Sequence, residues 1–190
     1  MRNHSDYELM QLVKQKRHDA LSVLYDRYAT LVYSFAWKTV KNEPDAREIV
    51  QSVFVRLWTT ESTYDPAKGK FTSWLITITR NLSVDWLRKQ RRQTVGVVPY
   101  VPEELERIVD DRVASPEDQA NQEAQREQIR GAYRYLSKPQ IDLLEHFYWQ
   151  GYSLNELSSH YKEPLGTVKN RLHQALKILR KHLTVEGEGW

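Results

Sequence analysis

Apolar residues in this chain recur at steps of three and four, a period that packed amphipathic helices satisfy and strands do not. Leu165, Val168, Leu172, Leu176, Leu179 and Leu183 follow one another by 3, 4, 4, 3 and 4 positions. The same period runs from Tyr7 to Arg92. Leu9, Leu12 and Val13 open one stripe, and Leu21, Leu24, Tyr28, Leu31, Val32 and Phe35 form a second. Asn42-Glu43-Pro44 breaks it, because proline has no N–H for a helix interior yet suits a first turn. A third helix is predicted from about Asp45 to Thr60, with Ile49, Val53 and Leu57 inward. A fourth is predicted from about Phe71 to Arg92, with Leu75, Ile78, Leu82, Trp86 and Leu87 inward. Between them, Glu61 to Lys70 holds Pro66 and Gly69 and reads as a loop. No run alternates convincingly as a strand, so the expected fold class is all-α.

Breaks and charge divide the chain further. Val95 to Pro116 carries three prolines, one glycine and many acids, which make a poor helix and a good tether. Ser115-Pro116-Glu117-Asp118 reads as a helix start, with helix expected to about Leu136. The expected organisation is one helical domain over residues 1–93, an acidic flexible linker over 94–127, and a second helical domain over 128–190. Net charge is +6 over residues 1–93, −6 over 94–128 and +3 over 129–190. Two basic bodies separated by an acidic piece suit two contacts with a polyanion.

Several function classes fall away. Cysteine is absent, which excludes disulfide frameworks, thiol catalysis and thiolate metal sites. The apolar runs are too short to span a bilayer and the polar start MRNHSDYE lacks a signal-peptide apolar core, so a cytoplasmic protein is expected. The six histidines are scattered, and His-Glu-x-x-His, glycine-rich phosphate loops and a nucleophile elbow are missing. No enzyme chemistry, catalytic residue, metal, cofactor or small-molecule substrate is expected. His146 and His160 read as structural.

The C-terminal unit has helix-turn-helix spacing. An amphipathic helix from Gln140 to Gln150 meets Gly151, which tolerates positive φ. Ser153-Leu154-Asn155-Glu156 has capping-box spacing and opens a short helix that presents Leu154, Leu157 and Tyr161 and stops at Lys162-Glu163-Pro164. The last helix follows, and its outward face carries Thr167, Lys169, Asn170, Arg171, His173, Gln174, Lys177, Arg180 and Lys181. Gly166 to Val185 contains five basic side chains and no acid. The start of such a helix can reach base edges in a major groove while later cations meet phosphates.

The N-terminal unit combines cations with aromatics. Arg88-Lys89-Gln90-Arg91-Arg92 ends the fourth helix, and Tyr64, Phe71, Trp74, Asn81 and Trp86 lie along the same stretch. Rings interleaved with cations can bind unstacked single strands. Trp74 and Trp86 read as core, whereas Tyr64, in a loop with Asp65, Lys68 and Lys70, reads as a stacking platform. The third helix differs: Asp45, Glu48, Gln51 and Ser52 on its polar side suit a protein partner better than DNA, which would repel carboxylates.

These motifs resemble bacterial sigma factors of the sigma-70 family. Asp45-Ala46-Arg47-Glu48-Ile49-Val50-Gln51-Ser52-Val53-Phe54-Val55-Arg56-Leu57-Trp58 looks like the region 2 helix. Phe71-Thr72-Ser73-Trp74-Leu75 with Arg80-Asn81-Leu82-Ser83-Val84-Asp85-Trp86-Leu87-Arg88 resembles the helix after it. Gly166-Thr167-Val168-Lys169-Asn170-Arg171-Leu172-His173-Gln174-Ala175 is similar to the region 4 recognition helix. Length, order and a short tether in place of region 3 point to the extracytoplasmic-function (ECF) group.

The resemblance implies an alternative sigma factor that binds core RNA polymerase and directs promoter-specific initiation. It implies docking on the beta-prime coiled coil through Asp45, Glu48, Gln51, Phe54 and Arg56. It implies capture of an unstacked minus-ten base by the loop Ser62 to Lys70, with Tyr64 and Asn81 lining the pocket beside Asp65, Lys68 and Lys70. Arg88, Lys89, Arg91 and Arg92 would hold the nearby backbone. Minus-thirty-five DNA would be read by Thr167, Lys169, Asn170, Arg171, His173 and Lys177. The chain ends about seven residues after the last helix, so control by an anti-sigma factor, often membrane-bound, is expected in place of a further regulatory domain. Two positions depart from the family pattern: the turn Tyr161-Lys162-Glu163-Pro164 is less glycine-rich, and Asn170 stands where serine is frequent. The rival reading is a stand-alone dimeric helix-turn-helix regulator on a palindromic operator, which gives the N-terminal unit no role.

Overall fold

A computed structural model describes residues 3–61, 64–93 and 130–183, with residues 91–93 as backbone only. All regular structure among the described residues is helical, and the chain divides into two compact units, residues 1–104 and 105–190. The expected linker and the expected helix start at Ser115-Pro116 lie outside the described residues.

In the first unit, α1 (Asp6–Lys14) opens on a capping box. The Ser5 N–H donates to the Glu8 carboxylate (2.7 Å) and the Glu8 N–H to the Ser5 hydroxyl (3.3 Å). α2 (His18–Val40) ends at Lys41 in the left-handed region (φ 54°). Asn42 then caps α3 (Glu43–Thr59) by accepting from the Asp45 N–H at 3.1 Å, with Pro44 in the first turn. A 3-10 turn, Pro66–Lys68, precedes α4 (Phe71–Gln93). α2 packs against α1, α3 and α4. Leu9, Met10, Val13, Leu24, Val32, Ile49, Val53, Leu57 and Leu75 form the centre of its core.

The stripes differ from the expected ones in two places. Leu31 is exposed. On α4 the fully buried positions are Leu75, Thr79 and Ser83, while Ile78, Leu82 and Trp86 only border the core. The two hydroxyls are tolerated inside because each donates to the carbonyl four residues back, Thr79 to Leu75 (2.9 Å) and Ser83 to Thr79 (2.9 Å).

The second unit contains α5 (Lys138–Tyr148), α6 (Leu154–Tyr161) and α7 (Leu165–Leu183), preceded by a helical turn over residues 130–133. Ser137-Lys138-Pro139 is both the break and the start of α5. Gly151 takes φ 74° at the turn into α6. The Ser153 capping box is formed, with the Ser153 N–H donating to Glu156 at 2.6 Å and the Glu156 N–H to Ser153 Oγ at 3.2 Å. Lys162 (φ 55°) ends α6 in the left-handed region. Leu136, Leu143, Leu144, Leu157, Val168, Leu172 and Ala175 form a separate core.

Candidate nucleic-acid interface

In the first unit two surfaces flank α3 and α4. Glu48, Gln51, Ser52, Val55, Arg56 and Thr59 of α3 line an open groove with Leu82 of α4. Asp45 sits half-buried one turn before Glu48, and its carboxyl is pushed above the ordinary range by burial and then by the Glu48 charge. Phe54 is a correction to the expected docking set. It is 5% exposed, belongs to the core and packs its ring 4.8 Å from Tyr25, because its position faces α2 and not the groove.

The loop before α4 is built around Tyr64, and this revises the stacking expectation. Tyr64 is 8% exposed. Its ring lies 5.3 Å from Phe71 and 5.9 Å from Trp74, and its hydroxyl donates to the Gly69 carbonyl at 2.9 Å. A ring held on two sides, with its hydroxyl bound, supports the loop from beneath and offers no free face to a base. Asp65 accepts from the Ala67 N–H (3.0 Å) and pairs with Lys68 (3.7 Å), closing the 3-10 turn. Gly69 has φ 141°, a conformation L side chains rarely adopt. Lys68, Lys70, Asn81 and Lys89 are exposed, Asp65 and Arg88 are half-buried, and Asn81 accepts from Arg80 at 3.3 Å. The side chains of Arg91 and Arg92 lie outside the described residues.

A support for this loop escaped the sequence reading. The Tyr28 ring packs 5.1 Å from Phe71, and its hydroxyl donates to Asp6 at 2.7 Å, beside Arg27 at 2.8 Å from the same carboxylate. Burial, then the Asp6 bond, pushes the Tyr28 hydroxyl well above the usual phenol range. The partners are 22 residues apart on different helices, beyond any local spacing rule.

In the second unit α7 presents Thr167, Lys169, Asn170, His173 and Lys177 to solvent. Arg171, also expected to contact DNA, does not share that exposure. Its Nη2 lies 2.7 and 2.6 Å from the two Glu163 oxygens, its side chain is 22% exposed, and its guanidinium stands 5.9 Å from the Tyr161 ring centroid. Tyr161 in turn meets His146 Nδ1 at 3.1 Å, and that nitrogen lies 2.6 Å from the Asp142 carbonyl, so His146 braces α5 against α6. No cluster of metal-ligating side chains occurs among the described residues.

A short capped helix, a tight turn and a longer helix with an exposed cationic face define a helix-turn-helix protein, here accompanied by a second helical unit. Residues 24–93 match sigma-70 region 2 and residues 134–181 match sigma-70 region 4. The ECF RNA polymerase sigma factor RpoE of Cereibacter sphaeroides is 31% identical over 180 residues, spanning 93% of each chain. SigX of Bacillus subtilis is 29% identical over 171 residues, covering 87% of this chain and 84% of SigX. The crystal structure of Rhodobacter sphaeroides SigE in complex with the anti-sigma ChrR aligns with 93% of this chain and 99% of that one, at 26% identity and a TM-score of 0.45. The chain belongs to the ECF RNA polymerase sigma factors of the sigma-70 family. It is an alternative sigma factor that directs transcription initiation.

Proposed function

We propose that the two units divide promoter recognition. The first docks on the beta-prime coiled coil of core RNA polymerase through the α3 groove, with Asp45, Glu48, Gln51 and Arg56 as its polar contacts. The loop over 62–70 and the start of α4 hold an unstacked minus-ten base, with Asn81 as the polar wall, Lys68 and Lys70 beside it, and Asp65 and Tyr64 fixing the loop's shape. Arg88, Lys89, Arg91 and Arg92 meet the adjoining phosphates. Flipping one base costs a few kcal/mol, which stacking and hydrogen bonds to the captured base offset.

The second unit lays α7 in the major groove of the minus-thirty-five element, with Thr167, Lys169, Asn170 and His173 near base edges and Lys177 at phosphate. The observation that carries this reading is the exposed, acid-free face of α7. Each contact alone is weak, and core polymerase turns the pair into one bivalent contact. The chain acts by binding and has no catalytic residue of its own. It works in the cytoplasm, and an anti-sigma factor that covers these same faces, in some states at the membrane, regulates it.

Co-elution with bacterial core RNA polymerase tests the reading. The wild-type chain is expected to comigrate with core, and Glu48→Lys to weaken the association at least tenfold, since it reverses a charge that lines the groove. Wild-type protein that fails to associate with core would overturn the proposal. Association unchanged by Glu48→Lys would move the docking face away from α3.

A further inference from the structure

We propose that Glu163 sets how tightly α7 binds DNA by holding Arg171 away from the phosphate backbone, making the turn an internal competitor of the duplex. The inference rests on the reading of α7 as the DNA-facing helix. Glu163 is the last acid before an acid-free stretch, and it stands at the entrance of the recognition helix. Its backbone is locked. The Glu163 N–H donates to the Ser158 carbonyl at 3.0 Å and its own carbonyl accepts from Ser158 Oγ. With Lys162 held at φ 55° and Pro164 following, the turn fixes the backbone from which the Glu163 side chain reaches Arg171. The guanidinium also lies 5.9 Å from the Tyr161 ring centroid.

An arginine paired in this way adds no phosphate contact and releases no counterion from DNA. A duplex competing for it must break two short charge-assisted bonds and bring its phosphates toward a carboxylate. The pair is only 22% and 31% exposed, so bulk salt screens it less than it screens Lys169 or Lys177. The cost falls on every sequence alike, so it lowers overall affinity and leaves the sequence-dependent part to the remaining exposed side chains.

The test is fluorescence anisotropy of the full-length chain with a labelled 30-base-pair duplex of random sequence, from 50 to 200 mM KCl. Glu163→Gln keeps the side-chain shape and removes the charge. It is expected to bind about three- to tenfold tighter at 50 mM, with the slope of log K against log salt steeper by about one, the increment for one added phosphate contact. A mere brace for the turn would give weaker binding or none of this gain. In an Arg171→Gln background the gain from Glu163→Gln is expected to shrink at least threefold, which separates release of the arginine from simple loss of a negative charge. Equal binding by wild type and Glu163→Gln, or an equal gain in both backgrounds, overturns the proposal and leaves the DNA-facing reading intact. If neither protein binds duplex at 50 mM KCl, both fall together.

Discussion

Leu157→Ala is expected to unfold the helix-turn-helix unit while the first unit stays folded. Leu157 is fully buried and lies on α6, an eight-residue helix that contributes one such side chain to the core. Short helices are marginal on their own and depend on tertiary packing. Truncating a fully buried leucine costs about 2–5 kcal/mol, and a unit of this size holds about 3–8 kcal/mol in total. The loss therefore removes most of its stability. Because each unit buries its own core, calorimetry should show the transition of the second unit lowered or lost and that of the first within a few degrees of wild type. Association with core polymerase should persist through the first unit, while binding to upstream promoter duplex is lost. A parallel drop of both transitions would mean that the two cores are not energetically separate.

The helix-turn-helix was legible because its signals are local. Ser153 with Glu156, Gly151 and Pro164 each act within four residues, and all perform the expected job. The first unit was legible for the same reason: two apolar stripes marked its first two helices, and the bounds expected for the third and fourth lie within about two residues of the observed ones. The unread features are pairings across breaks. Arg171 and Glu163 are eight residues apart on either side of a turn, so helical spacing rules do not connect them. Tyr28 and Asp6 join separate helices. Thr79 and Ser83 were not among the expected core positions, because polarity in sequence says nothing of a hydroxyl that satisfies itself on its own helix. Phe54 and Tyr64 were expected at a surface and lie in the core for a shared reason. Motif resemblance marks segments and not which side chains face outward, and both of these rings are buried.

Tyr64 turns that distinction into a measurable one. As a foundation, Tyr64→Ala should destabilise the first unit by about 3–5 kcal/mol, the usual cost of deleting a buried ring. In a unit of this size that corresponds to a melting temperature lower by more than 10 °C. Promoter opening, read as permanganate reactivity of minus-ten thymines, should fall with it at temperatures where the variant is still folded. The reason is that the loop over 64–70 loses both the ring beneath it and the bond to Gly69. Tyr64→Phe keeps the packing on Phe71 and Trp74 and removes a single neutral hydrogen bond, worth about 1 kcal/mol. It should melt a few degrees below wild type and retain most opening. A base-stacking platform would behave differently, with alanine leaving stability untouched while abolishing opening and phenylalanine matching wild type in both. An unchanged melting temperature for Tyr64→Ala would overturn the structural assignment and return the ring to the promoter.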